Sequence, residues 1–230
     1  MIDIENGCAI LINKPYTWTS YQVVNKLKYK LTHHYGKKIK IGHAGTLDPL
    51  ATGLLIVCIG KYTKRIEEYQ AAEKEYTGTF RLGATTPSFD LEHPIDQTYP
   101  TEHITEEAIL EASKQLTGTQ DQVPPIFSAK WVDGKRAYQL ARENKEVELK
   151  SKEITIKEFE ITRIALPDVD FRIVCSKGTY IRSIARDFGL ALNTGGHLFS
   201  LCRTRIGEYH LKDAYQIDDI DAVITNCTHQ

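Results

Sequence analysis

Long apolar runs are absent from this 230-residue chain, so no segment approaches the roughly 20 apolar residues that a membrane-spanning helix requires. The start, with Asp3 and Glu5 early on, lacks the basic end and apolar run of a secretory signal. A cytoplasmic protein with no membrane partner is expected. Cys8, Cys58, Cys175, Cys202 and Cys227 form no C-x-x-C pair, which argues against a disulfide framework or a zinc site. Cys58 and Cys175 stand inside apolar runs and are expected to be buried small hydrophobes. Charge of one sign is missing from two stretches: Gly7 to Leu47 holds no Asp or Glu, and Leu82 to Ser113 holds no Lys or Arg. Net charge is only −1, so attraction to a polyanion would have to rest on that uneven distribution.

The acid-free stretch gathers Lys14, Lys26, Lys28, Lys30, Lys37, Lys38 and Lys40 with three histidines, and Lys61, Lys64 and Arg65 extend it. Clustering of this kind is the footprint of phosphate-backbone binding, although a charge run is also an ordinary solvated face. Within the basic region lies the most informative segment, residues 42–53, Gly-His-Ala-Gly-Thr-Leu-Asp-Pro-Leu-Ala-Thr-Gly. It runs into Leu54–Ile59, six apolar residues bounded by Gly53 and Gly60, the pattern of a strand buried on both faces. Glycine backbone ahead of such a strand can approach a ligand closely. Pro49 restricts Asp48 to extended conformations, so Asp48 is a lone carboxylate on a constrained loop. An Asp-Pro turn joining two ordinary elements is the alternative.

Further along, Ala9–Ile12 reads as a strand, and Thr19 or Ser20 can cap a basic helix whose buried stripe is Val23, Val24, Leu27 and Leu31. Thr63–Gln70 reads as a short helix and Glu75–Leu82 as a half-buried strand. Residues 83–103 are polar, acidic and turn-rich. Thr105 can cap the next helix, with Ala108, Ile109, Ala112 and Leu116 on its apolar face and Gly118 ending it. Two adjacent prolines stiffen the loop from Gln122 to Lys130, and a short helix reaching about Asn144 follows. Aromatics interleaved with Lys130, Lys135 and Arg136 there suit stacking and phosphate contact. Strands are expected over Ile154–Ala165 and Asp170–Ser176. A helix capped by Thr179 buries Ile181, Ile184, Ala185 and Phe188, leaving Tyr180 and Arg182 off the stripe to reach a ligand or, for Arg182, to pair with an acid such as Asp187. Residues 194–198 read as a loop, Leu201–Gly207 leads into a final strand, and Asp213, Asp218, Asp219 and Asp221 read as acidic surface.

The segment at 42–53 closely resembles the catalytic motif of the bacterial tRNA pseudouridine-55 synthases. The resemblance extends in order from Lys14 to Gly207, through Lys-Pro…Thr-Ser at 14–20, Lys-Glu-Tyr-Thr-Gly at 74–78, Pro-Pro…Ser-Ala…Gly-Lys-Arg-Ala-Tyr at 124–138 and Lys-Gly-Thr-Tyr-Ile-Arg at 177–182. A leucine followed by Arg and Thr is matched at Leu201. Thr17 departs from the pattern, where a glycine is expected. The resemblance implies an α+β pseudouridine synthase fold, a mixed and mostly antiparallel sheet with flanking helices and a central catalytic cleft. It implies one catalytic domain over residues 1–230, an RNA-gripping insertion at about 120–150, and no separate C-terminal RNA-binding domain.

By the same resemblance Asp48 is the catalytic residue, Tyr76 stacks on the target base, Tyr180 lies near the aspartate, Arg182 pairs with it, and Leu201 packs near the uracil. His43 is placed to help displace the flipped base, and Lys26, Lys28, Lys37, Lys38, Lys130, Lys135 and Arg136 are candidates for the RNA backbone. The reaction would isomerise the T-loop uridine 55 of tRNA to pseudouridine. It needs neither redox nor phosphate chemistry, so no cofactor or metal is implied. The partner would be the T-arm stem-loop of tRNA, without guide RNA, and the protein a monomer. Two rival readings are a tRNA-folding chaperone that binds the T-arm and a different aspartate-nucleophile enzyme, a phosphatase or glycosidase. No second acid flanks Asp48, which weighs against the latter.

Overall fold

A computed structural model describes residues 3–127, 131–132, 135–136 and 149–225. In chain order the elements are β1 (Cys8–Lys14), α1 (Ser20–Tyr35), β2 (Ile41–His43), β3 (Ala51–Ile59), a 3-10 turn (Gly60–Arg65), α2 (Ile66–Ala71) and β4 (Lys74–Leu82). There follow β5 (Ala84–Thr85), β6 (Gln97–Thr98), α3 (Glu106–Gln115), β7 (Gly118–Gln122), β8 (Trp131–Val132), β9 (Lys135–Arg136), β10 (Lys152–Ala165) and β11 (Asp168–Cys175). The chain closes with α4 (Ile181–Ala191), β12 (Gly196–Ile206), β13 (Tyr209–His210), β14 (Tyr215–Gln216) and α5 (Ile220–Thr225). This is the expected α+β class, with mostly antiparallel pairing; β1 with β14 and β3 with β12 are parallel. Two compact units result, Met1–Tyr76 with Leu201–Gln230, and Thr77–Ser200.

In the first unit β3 is the organising strand. Leu54 through Ile59 are fully buried, and because side chains alternate along a strand they feed two different cores. Leu55, Val57 and Ile59 join Ile10, Ile12, Val23, Leu27 and Leu31 from β1 and α1. Leu54, Ile56 and Cys58 join Ala44, Tyr69 and Ile206. Each fully buried aliphatic side chain contributes about 1.5–3 kcal/mol. The strand begins earlier than the hydrophobic run suggests. Ala51-Thr52-Gly53, expected as loop, are already paired parallel to β12, and Gly53 is also paired antiparallel to β1.

Helix α1 forms as anticipated, and its start is a reciprocal capping box. Thr19 accepts from the Gln22 backbone N–H (3.1 Å) while the Gln22 side chain accepts from the Thr19 N–H (2.7 Å). Gly36, at φ 64°, ends it. Ahead of the cap, Thr17 takes φ 69°, so the turn keeps the left-handed geometry a glycine would supply although a β-branched residue occupies it. Lys74 at the head of β4 is buried and donates to the carbonyls of Tyr69, Gln70 and Ala72, neutralising the C-terminal end of α2.

In the second unit β7, β10 and β11 pair antiparallel. Phe80 stacks on Phe171 at 4.1 Å, with Phe188 of α4 and Phe159 against it. Four expectations shift here. Ala108 is exposed and Ser113 takes its place on the buried face of α3. Thr179 does not cap α4; its hydroxyl donates to the Ser176 carbonyl (2.9 Å) and the helix opens after Tyr180 with no side-chain cap. Residues 196–198, expected as loop, are the beginning of β12. Asp187 pairs with the neighbouring Arg186, leaving Arg182 to another acid. Lys130 and the helix expected to reach Asn144 lie outside the described residues, as do the side chains of Lys135 and Arg136, whose backbone forms β9.

Candidate active site

Asp48 stands half-buried on the loop between β2 and β3, and its surroundings explain why that loop holds one shape. Ala44 N–H donates to the Ile56 carbonyl (2.9 Å) and Ala51 N–H to the carbonyl of Asp48 itself (3.1 Å). Ser20, the first residue of α1, clamps Leu47 from both sides: its hydroxyl donates to the Leu47 carbonyl (3.1 Å) and accepts the Leu47 N–H (2.9 Å). Leu47 is buried beside it. The helix start is thereby tied to the residue before the carboxylate.

Two buried cations complete the mooring. Lys14 ends β1 with its side chain fully enclosed, and its ammonium donates to the carbonyls of Pro15 (3.0 Å), Trp18 (2.5 Å) and Pro49 (3.3 Å). Arg203 of β12, 2% exposed, donates through Nε to the Leu54 carbonyl (2.8 Å) and through a terminal nitrogen to the Gly45 carbonyl (3.0 Å). Lys14 and Arg203 are the cross-strand partners of one residue, Gly53, on either side of β3. Gly53 is at φ 102°, and a Cβ there would fall on the Arg203 backbone, so glycine is required on both counts.

The charges act on one another. Burial pushes the Lys14 ammonium down to about 8; the Asp48 carboxylate pulls it back up and Arg203 pushes it further down. His43, at the end of β2, is held below the ordinary imidazole range by burial first and then by Arg203, with the Gly45 backbone opposing. Its Nδ1 is buried and makes no hydrogen bond among the described residues. At neutral pH His43 is therefore uncharged and can donate or accept toward a polar ligand. Leu201 of β12 is the register partner of Ala51, and its carbonyl accepts from the Thr52 hydroxyl (3.3 Å). Tyr76 is buried on β4. The first unit thus holds Asp48, His43, Tyr76 and Leu201.

Tyr180 and Arg182 belong to the second unit. The Tyr180 backbone is pinned by the buried Gln122 side chain, which accepts its N–H (2.8 Å) and donates to its carbonyl (3.1 Å). Arg182 is 4% exposed, not displayed at the helix surface as its place off the apolar stripe suggested. Its guanidinium donates to the carbonyls of Ser88 (3.2 Å) and Phe127 (3.0 Å), and Nε lies 3.7 Å from the buried Asp90 carboxylate. Asp90 also accepts the Glu92 N–H (3.0 Å), and Phe89 before it takes φ 61°, its carbonyl accepting from Leu198 N–H (2.8 Å). A strained residue beside a buried ion pair marks this loop as a built feature.

Sequence reasoning missed Lys14, Arg203 and Asp90. Lys14 counted only toward the basic run and as the start of the Lys-Pro…Thr-Ser resemblance, with no role in the site, and Asp90 only toward the acidic one. For Arg203 the available signal was its place in the leucine, Arg and Thr match that begins at Leu201. Of the backbone candidates, Lys28, Lys37 and Lys38 are exposed, while Lys26 pairs with Asp218 (3.1 Å) and lies over the Trp18 ring. No group of three or more His, Cys, Asp or Glu among the described residues could hold a metal ion, and no helix among them is long and apolar enough to cross a membrane.

Comparison with known proteins bears on this constellation. The family described as TruB family pseudouridylate synthase (N terminal domain) matches residues 31–181. The tRNA pseudouridine synthase B of Flavobacterium johnsoniae is 62% identical over 213 residues, covering 92% of this chain and 93% of that protein. The protein of the same name from Phocaeicola vulgatus is 56% identical, covering 94% and 93%. Among solved structures, a Cbf5–Nop10–Gar1 complex aligns over 98% of this chain at TM-score 0.73 and 26% identity, and this chain spans 56% of that one. With the family matched across most of the chain and relatives more than half identical, the chain belongs to the TruB family of pseudouridylate synthases.

Proposed function

We propose that this protein isomerises one T-loop uridine of tRNA, uridine 55, to pseudouridine, with Asp48 as the essential catalytic residue. The observation that carries the reading is the mooring of Asp48: its loop is fixed by Ser20, Lys14 and Arg203, and both cations are buried. A carboxylate so placed is pre-organised for chemistry on a substrate brought to it. In the reaction the C1′–N1 glycosidic bond breaks, the uracil turns, and C5 bonds to C1′. The proton leaving C5 is balanced by one gained at N1, so product and substrate are isomers. Asp48 serves either as nucleophile toward ribose or base, or as the base that removes a ribose proton. The target uridine must first leave its stack. Tyr76 offers its ring to the extruded base, uncharged His43 fills the gap or assists displacement, and Leu201 packs on the uracil.

The names of the relatives, tRNA pseudouridine synthase B, support tRNA as substrate. Action on the T-arm by a monomer, with no guide RNA, is part of the same proposal. Incubation of the purified protein alone with an unmodified tRNA transcript, followed by single-nucleotide mapping of pseudouridine, tests it. One converted T-loop uridine is expected. Asp48→Asn should abolish conversion while RNA affinity stays within about 1 kcal/mol, since no phosphate contact is removed. Binding without conversion by the native protein would overturn the enzyme reading in favour of a tRNA chaperone, and turnover by Asp48→Asn would overturn the role of Asp48.

A further inference from the structure

The outward face of α1 is not used by the chemistry above, yet its composition is unusual. Tyr21 and Tyr29 are 68% and 73% exposed, two large aromatic side chains presented to solvent on one helix. On a helix, positions 21, 25, 28, 29 and 33 share one side. That side therefore displays Tyr21, Asn25, Lys28, Tyr29 and His33, all exposed. The Tyr29 and His33 rings lie parallel and stacked, 4° apart in tilt with centroids at 6.2 Å. Exposed Lys37 and Lys38 follow directly after the helix, and no acid occurs anywhere from Gly7 to Leu47.

We propose that the far part of this face is a second RNA-contact surface, on which unpaired bases of the substrate tRNA outside the target hairpin stack against Tyr29 and His33. The inference rests on tRNA being the substrate. Aromatic side chains flanked by lysines bind single-stranded nucleic acid by stacking and phosphate neutralisation; the stripe itself carries positive charge and no acid, the nearest acids, Asp218 and Asp221, being paired with Lys26 and Lys30 on the neighbouring side of the helix. Position selects the segment. Ser20 ties the N-terminus of α1 to Leu47, next to Asp48, and Tyr29 and His33 lie nine and thirteen residues further along the helix, roughly 14 and 20 Å away at 1.5 Å per residue. A hairpin has unpaired bases only in its loop, and that loop is occupied at Asp48. Bases that stack at Tyr29 and His33 come from another part of the same RNA.

The test compares a full-length tRNA transcript with the isolated T-arm hairpin, measuring affinity and single-turnover conversion for the native protein and the double variant Tyr29→Ala/His33→Ala. Affinity for the full transcript should fall about tenfold, while hairpin affinity and hairpin conversion stay unchanged; Tyr29→Phe, which keeps the ring, should retain native affinity. Lys28→Gln should lower the slope of log affinity on log salt by about 1 for the full transcript. Equal affinity of native and double-variant protein for the full transcript would overturn the proposal. So would an equal loss on the hairpin, or self-association of the native protein that disappears in the double variant, which would assign the face to a second copy. Native protein that binds tRNA but converts no uridine would instead sink the catalytic reading, and the binding comparison would still decide this one.

Discussion

Lys14 and Arg203 face the same residue, Gly53, from the strands on either side of β3. One grips the loop just after Asp48 through the Pro49 carbonyl, the other grips it before Asp48 through Gly45. Like charges repel, so two enclosed cations around one short loop are costly. Carbonyl dipoles and the Asp48 carboxylate offset that cost.

Lys14 provides a pH signature. Its pKa is about 8 in the folded protein against 10.5 ordinarily, so between those values the unfolded chain holds a proton that the folded one does not. Stability from this group should therefore rise as pH climbs from about 8 toward 10.5. Activity should move the other way, because a neutral amine has too few N–H groups for the carbonyls of Pro15, Trp18 and Pro49. Urea midpoints and turnover across that range, read against Lys14→Met, check the pair of trends. A native profile parallel to that of Lys14→Met would refute it.

Arg203→Lys keeps the charge and loses the fork that reaches both Leu54 and Gly45. Turnover should drop about 100-fold through misplacement of the Asp48 loop, with about 2 kcal/mol lost from stability. Single-turnover rates and thermal melts measure the two effects separately.

Asp90→Asn removes the carboxylate facing the Arg182 guanidinium, with both groups buried. Breaking a buried pair from one side costs about 3 kcal/mol. A lowered melting temperature together with impaired turnover is expected, with partial recovery in Asp90→Glu. Native turnover in Asp90→Asn would show that the pair serves folding alone.

Thr17→Gly should stabilise the protein. Left-handed backbone costs an L-residue about 1–2 kcal/mol, and glycine adds about 0.5–1 kcal/mol of unfolded-state entropy. The net gain should be roughly 0.5–1 kcal/mol, visible as a melting temperature a few degrees higher with turnover unchanged.

Much of the fold was legible where one local rule sufficed. The cap at Thr19, the stripe Val23-Val24-Leu27-Leu31 and the doubly buried Leu54–Ile59 all followed from spacing. Asp48 was legible through its motif. The parts that escaped depend on partners distant in the chain. Lys14 and Arg203 look like surface cations until β3 pairs with β1 and β12 on either side of Gly53. Asp90 looks like one more acid until Arg182 folds onto it. Boundaries slipped for a similar reason: Ala51–Gly53 and residues 196–198 are strand because neighbours pair with them, not because their composition asks for it.

The division of β3 between two cores has a consequence for how this protein can change. A substitution at Leu54, Leu55, Ile56 or Val57 perturbs packing on one side of the sheet and tilts the strand that serves the other. Lineages can therefore explore little here without losing the fold. Tolerance for change lies instead at exposed margins such as the outward face of α1.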